Sequence, residues 1–298
     1  DHYEMIYKNH IKPVLGDYQL GSIRASDIQN LINKKSRDYS YPIVKKIRSL
    51  LAEIFQYAYT EGDIAKNPVD NVVLPKKGLF KPSKDILVLE DEEVRRLEEV
   101  AKMQTKAGHP VLTHADLMVF IVHTGLRCGE VLALKWSDID FSKRTVTVSK
   151  NLTRIKEREQ GKSIHKRMNY VKGTKTESGK RVVPLNSKAV EALKHLQAIY
   201  KEYGITSSNV ASSKNNTPLN NARMHRLLER MLKHAHIDKP LTIHQLRHTF
   251  ATRALKAGVA ISVVSKWMGH ANISTTYNTY IHVLESERAE AETLLEAM

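Results

Sequence analysis

The strongest constraint on the fold comes from an apolar stripe in the first quarter of the chain. Val44, Ile47, Leu51, Ile54 and Ala58 recur at three- and four-residue intervals, and Leu50 and Phe55 widen the stripe. That period puts one apolar face along an α-helix, and such a face is stable only when other helices cover it. Upstream, Ser26 to Lys35 opens on Ser-Asp and carries Ile28, Leu31 and Ile32, the pattern of a short capped helix. Downstream, Asn67-Pro68, the Pro75-Lys-Lys-Gly78 stretch and Pro82 interrupt any regular element. Residues 1–78 are therefore expected to form a small helical domain, with a linker over 79–86 and a second domain over 87–298. A chain of 298 residues with 41% hydrophobic residues can bury two cores and is too apolar to be disordered.

The second part is mixed. Asp91 to Ala101 and Asp116 to His123 read as helices, the first with an acidic opening turn that suits the helix dipole. Thr-Val-Thr-Val over 145–148 and Arg181-Val-Val-Pro-Leu185 alternate as strands do. The polar, Gly-punctuated stretch between them predicts a β-hairpin or a three-stranded sheet. Ser187 to Tyr203, Asn220 to His236, Ile243 to Ala257 and Ile261 to Met268 follow as helices, with Gly204, Gly258 and Gly269 as stop signals. The fold class is mostly α with a small β-sheet.

Charge narrows the partners. The net charge is +15, which favours a polyanion, most often nucleic acid. Ser142 to Arg181 holds thirteen Lys and Arg against three acids, whereas Val283 to Met298 sets Arg288 against Glu285, Glu287, Glu290, Glu292 and Glu296. A charge serving only solubility would not separate into a basic middle and an acidic tail. Cys128 is the only cysteine, so an intrachain disulfide and a cysteine-based zinc site are excluded. No apolar run is long enough to span a membrane and no signal-peptide pattern opens the chain, so a cytoplasmic protein is expected.

Three segments combine residues that suit phosphate chemistry. In Thr124-Gly-Leu-Arg-Cys-Gly-Glu130 the arginine follows a helix-breaking glycine near a helix start, where it opposes the dipole unless an anion lies between; pairing with Glu130 also fits. In His244-Gln-Leu-Arg-His248 a titratable ring and a fixed cation share a helix face, although a buried histidine beside a surface arginine fits equally. In Trp267-Met-Gly-His270, followed by Ala-Asn-Ile-Ser274 and the stretch to Tyr280, a helix ends, Ser274 is placed to cap the next one, and Tyr277 and Tyr280 fall three apart on one face.

In this order the three segments resemble the tyrosine recombinases, which include the integrases of phages and conjugative transposons. The resemblance covers nearly the whole chain and is most pronounced for integrases of mobile elements. It implies a helical core-DNA-binding domain over 1–78 and a catalytic domain over 87–298 ending in a tail helix. Integrases of this kind often carry a further N-terminal arm-binding domain; nothing here matches it, and with Asp1 first it is expected to have been removed. The family's two catalytic arginines fall on Arg127 and Arg247, and its histidines on His244, as general base, and His270. Its β-hairpin lysine falls among Lys172, Lys175 and Lys180; the Lys-Thr before a Gly/Ser turn favours Lys175. Many relatives place the nucleophile nine residues after the Gly-His histidine, where this chain has Thr279. Relatives ending Thr-Tyr-x-His-Val place it ten residues on, and Thr279-Tyr-Ile-His-Val283 selects Tyr280, with Tyr277 as the alternative.

The resemblance implies attack by Tyr280 on a DNA phosphate, arginine stabilisation of the charge that develops, and a 3′-phosphotyrosine link that conserves bond energy, without metal or other cofactor. Partners would be double-stranded recombination sites, a tetramer of this chain on two duplexes with the acidic tail docking on a neighbour, and accessory directionality and DNA-bending proteins. Basic residues expected along phosphates are Lys45, Lys46 and Arg48 on the N-terminal helix and Lys150, Arg154, Lys172 and Lys180 in the middle segment. A type IB topoisomerase shares the tyrosine chemistry, and a non-catalytic DNA-binding relative would share the fold. The complete residue set argues against the latter.

Overall fold

A computed structural model describes residues 2–81, 86–159, 162–173 and 180–281, with backbone alone over 154–159 and 162–173. The chain divides into two compact units, Asp1–Asp85 and Ile86–Met298.

The first unit is helical. α1 (His2–Ile6) passes through a π-helical turn at Tyr7–Ile11 into α2 (Lys12–Leu15), and α3 (Ala25–Asp38) and α4 (Tyr41–Thr60) follow. α4 starts where Pro42 fits the first turn, which needs no backbone donor. Its stripe is buried as the periodicity predicts: Val44, Ile47, Leu51, Phe55 and Ala58 lie in the interior with Ile28, Leu31 and Ile32 of α3. The unit runs further than the composition suggests. Phe80 is buried in this core, edge-on to Tyr41 at 5.1 Å, and the Lys81 N–H donates to Ser36 O at 3.2 Å. The expected linker at 79–86 thus begins later, because one aromatic side chain extends the core past the Pro/Gly stretch.

The second unit surrounds α6 (Asp116–Thr124), every residue of which is buried. Its middle, Leu117 to Val122, is apolar on all sides, which places the helix at the centre of a domain. Against it pack α5 (Asp91–Lys102), α8 (Ser187–Glu202) and α10 (Ile243–Lys256), with α7 (Cys128–Ala133) and α9 (Asn221–His234) closing one end. The sheet is antiparallel in the order β1 (Ile139–Asp140), β2 (Thr145–Val148), β5 (Arg181–Pro184), with Val146 opposite Val183. Between β2 and β5 the chain leaves this sheet as a separate two-stranded hairpin, β3 (Lys150–Glu159) and β4 (Lys162–Gly173), which resolves the two arrangements open from sequence. α11 (Ile261–Met268) and a last helix, α12, over 273–281 complete the described fold.

Candidate active site

The site is assembled on helix ends. α6 stops at Gly125, whose φ of +65° is the left-handed conformation open to glycine; a Cβ there would also lie 2.4 Å from the Phe250 ring. α11 stops the same way at Gly269, φ +65°, against the Arg181 guanidinium. These stops leave carbonyls without helical partners, and arginines take them. Arg247 donates from one terminal nitrogen to Gly125 O at 2.7 Å and from the other to Met268 O. Arg127 donates to Gly269 O at 3.2 Å, and Arg181 Nε to Trp267 O at 2.6 Å. Three guanidinium groups therefore sit on the C-terminal end of one helix, where the dipole is negative and favours cations.

One carboxylate organises two of them. Glu130 is buried and receives both terminal nitrogens of Arg181, at 2.9 and 2.8 Å, together with the Arg127 backbone N–H at 2.8 Å and guanidinium at 2.9 Å. It is the anion that lets Arg127 stand at the start of α7. Burial, the largest single influence, would raise its pKa, but the hydrogen bonds and charges of Arg181 and Arg127 together outweigh it and hold the carboxyl below its ordinary range. Arg127 pairs with Glu130, as one sequence reading expects, and its side chain, 39% exposed, lines a cleft of about 420 Å³ with His244 and Arg247.

Arg247 is 1% exposed, and its Nε has no partner among the described residues. Burial and the neighbouring Arg127 lower its pKa, the signature of a site short of negative charge. The same causes, burial first and then Arg247 and Arg127, lower His244 and push His270 down to about 4. Both rings are therefore neutral at pH 7. His270 Nδ1 lies 2.7 Å from the hydroxyl of the buried Thr276. Two fixed cations and the neutral His244 ring at one cleft, with His270 on the neighbouring loop whose Gly269 carbonyl Arg127 holds, are suited to receiving a phosphate group.

Tyr280 is fully buried, among Ala251, Leu255, Val264 and Met268, with its hydroxyl 2.6 Å from His248 Nδ1. Tyr277 is 48% exposed. The expectation that the two tyrosines face the same way is corrected: three residues turn a helix through 300°, and the 60° shortfall carries Tyr277 off the face that Thr276 and Tyr280 bury. Ser274 does not cap α12; the Asn272 carboxamide oxygen accepts the Ser274 N–H at 2.8 Å, so the cap sits earlier.

The remaining expected residues are more scattered. Lys175 lies outside the described residues. Arg154 and Lys172 are placed by backbone only, on β3 and β4. Lys150 is half-buried at the start of β3, and Lys180 is exposed beside His270 in a second hollow of about 890 Å³. In the first unit Lys45 and Lys46 are exposed, whereas Arg48 is committed internally: its Nε donates to Val72 O at 3.0 Å and its Nη2 to Val69 O at 3.4 Å. Arg48 thus braces the turn after α4, and its guanidinium is already occupied. Sequence reasoning gave no role to Arg181 or His248. Arg181 is one of thirteen basic residues in its segment, and nothing in the sequence separates it. His248 had a signal, since it lies one turn from His244 on the same helix.

Arginines and histidines gathered near a buried tyrosine on this helical domain suit phosphate chemistry. Comparison with known proteins agrees. Residues 87–287 match the phage integrase family, and residues 1–36 match the N-terminal SAM-like domain of phage integrases. The chain is 30% identical to a tyrosine recombinase XerC-like protein of Caldanaerobacter subterraneus subsp. tengcongensis, over 98% of this chain and 76% of that one. It is also 30% identical to the transposase from transposon Tn916 of Enterococcus faecalis, over 95% and 69%. Among solved structures, the Tn1549 transposon integrase in complex with a circular-intermediate DNA aligns with a TM-score of 0.73 and 25% identity, covering 98% of this chain and 92% of that one. The chain belongs to the phage integrase family and is a tyrosine recombinase.

Proposed function

We propose that this chain cleaves and rejoins double-stranded DNA at specific sites through a transient bond to Tyr280, and so integrates and excises a mobile element. The observation that carries the reading is the convergence of Arg127, His244 and Arg247 on one cleft, with both guanidinium groups locked to carbonyls of the loops that bear Arg127 and His270.

In the first step the Tyr280 oxygen bonds to phosphorus and the bond from phosphorus to the 5′-oxygen breaks. The phenol's proton passes to a base, for which His244 is the family's residue, and Lys175 protonates the departing 5′-oxygen. Charge accumulates on the non-bridging oxygens, and Arg127 and Arg247 meet it without reorganising, since backbone carbonyls already hold them. His270, neutral, donates to one of those oxygens. In the second step a 5′-hydroxyl from a partner strand attacks the phosphotyrosine, the P–O bond to Tyr280 breaks, and the proton returns. Bond energy is conserved, so no external energy source enters.

Lys45 and Lys46 in the first unit, and Lys150, Arg154, Lys172 and Lys180 in the second, supply phosphate contacts that give affinity without sequence information. The solved relatives include a lambda integrase dimer bound to a core site and the DNA-bound Tn1549 integrase. They support a DNA duplex as partner and assembly of several copies of this chain, here proposed as a tetramer on two duplexes, with accessory directionality and DNA-bending proteins and a bacterial cytoplasmic setting. The domains follow: residues 1–78 bind the core site and 87–298 carry the chemistry. The test is incubation with a nicked duplex that traps cleavage, followed by denaturing electrophoresis. A shifted protein–DNA adduct, and exchange of strands between two duplexes, are expected. Absence of any adduct overturns the reading, and an adduct without strand exchange favours a topoisomerase.

A further inference from the structure

Among the described residues, the histidine hydrogen-bonded to the Tyr280 hydroxyl is His248, while His244 one turn earlier lines the cleft. The two rings meet edge to face at 4.7 Å, so His248 stands between the cleft histidine and the nucleophile. Tyr280 is 0% exposed in this arrangement, and an oxygen sealed from solvent cannot contact a phosphate that enters an open cleft. Its side chain is packed among Ala251, Leu255, Val264 and Met268, and its hydroxyl needs a polar partner there, because an unpaired buried O–H is costly.

We infer that His248 is the positioning residue of the nucleophile: its Nδ1 accepts the Tyr280 O–H and holds the side chain in a closed position, from which the tyrosine must be released before it can reach DNA. This rests on the reading of Tyr280 as nucleophile. Both partners are in the right form for such a bond. Burial raises the phenol's pKa well above its usual value, so Tyr280 keeps its proton. Burial first, then His244 and Arg247, push His248 down to about 4, so its ring is neutral at pH 7 and can accept. The apolar cluster supplies the socket and the single hydrogen bond sets the depth. A neutral hydrogen bond of this kind shifts a closed–open balance by a small factor, so the hold is reversible. Tyr277 provides a control on the same helix, since it is half exposed and has no such socket.

The experiment uses the full chain and tetranitromethane, which nitrates accessible tyrosines, with peptide mass spectrometry to compare Tyr280 with Tyr277. In the DNA-free wild-type protein Tyr277 should be modified and Tyr280 protected; equal modification of both overturns the proposal without use of any variant. His248→Leu, close in volume but without an acceptor, should expose Tyr280 and raise the first-order rate of adduct formation on a nicked duplex by about three- to tenfold, with DNA affinity within about twofold. His248→Asn, whose carboxamide oxygen can stand where Nδ1 does, should restore protection and rate. Continued protection of Tyr280 in a folded His248→Leu, or an unchanged rate, also overturns it. Tyr280→Phe is run in parallel: an adduct that persists there removes the nucleophile assignment, whereas the nitration pattern reports the His248 contact alone.

Discussion

The two halves of the site are held in different ways. On the arginine side every charge is pinned: Arg247 bridges Gly125 O and Met268 O, Arg127 reaches Gly269 O, and Glu130 ties Arg127 to Arg181. On the tyrosine side one hydrogen bond and a small apolar socket hold Tyr280, the proposed nucleophile, at the last described turn of the chain. The contrast suits the chemistry. Groups that stabilise a developing charge act best when fixed beforehand. A nucleophile that must form a bond, carry a strand and let it go needs a position it can leave.

Substitutions can break this contrast. Tyr280→Phe should abolish covalent adduct formation while leaving stability nearly unchanged, because the ring keeps its socket; Tyr277→Phe should leave adduct formation intact, and the opposite pattern would move the nucleophile. Glu130→Ala would strand the buried Arg181 and is expected to lower unfolding free energy by about 3–5 kcal/mol in urea titrations. A loss below about 1 kcal/mol would show that the arginine side is not pinned by this carboxylate. Arg127→Ala and Arg247→Ala should each slow cleavage by about 10²–10³. They should differ in stability: Arg247→Ala leaves two buried carbonyls unpaired at about 1–3 kcal/mol each, and the half-exposed Arg127 costs less. Equal destabilisation would contradict the burial difference between them.

The smallest expected effect is on pH dependence. His270 titrates near 4 when folded, against about 6.5 for an unperturbed histidine. The folded chain then binds fewer protons than the unfolded chain between those values, so the contribution of His270 to stability is whole above about pH 6.5 and is lost as pH falls toward 4. Asp116, raised to about 6 by burial, titrates in the opposite sense, so the informative quantity is the difference between wild type and His270→Asn in melting temperature from pH 7 to 4.5. A smaller decline in the variant is expected, and parallel curves would contradict it.

Much of this was legible in the sequence because local rules and the fold agree. The α4 stripe, the apolar run in α6 and the glycine stops at Gly125, Gly204, Gly258 and Gly269 predict their elements to within a residue or two. The order of their motifs singles out Arg127, His244, Arg247 and His270 as one proposed set, and the fold brings Arg127, His244 and Arg247 to one cleft. What escaped depends on tertiary contacts that leave no periodic trace. Phe80 extends the first core because Tyr41 is there to receive it. Arg48 looks like a phosphate contact until the carbonyls of Val69 and Val72 turn toward it. Arg181 resembles its basic neighbours until Glu130 is seen to face it. The Thr-Tyr-x-His-Val context selects Tyr280 over Tyr277, but which of the two is covered is decided only by the packing of α12.

The most direct test of the central claim is to locate the covalent bond. The trapped adduct can be trimmed with nuclease, digested with protease and sequenced by mass spectrometry. A nucleotide remnant on the peptide containing Tyr280, with fragment ions placing the mass on that residue, is the predicted result. A remnant on Tyr277, or on any other side chain, would contradict it.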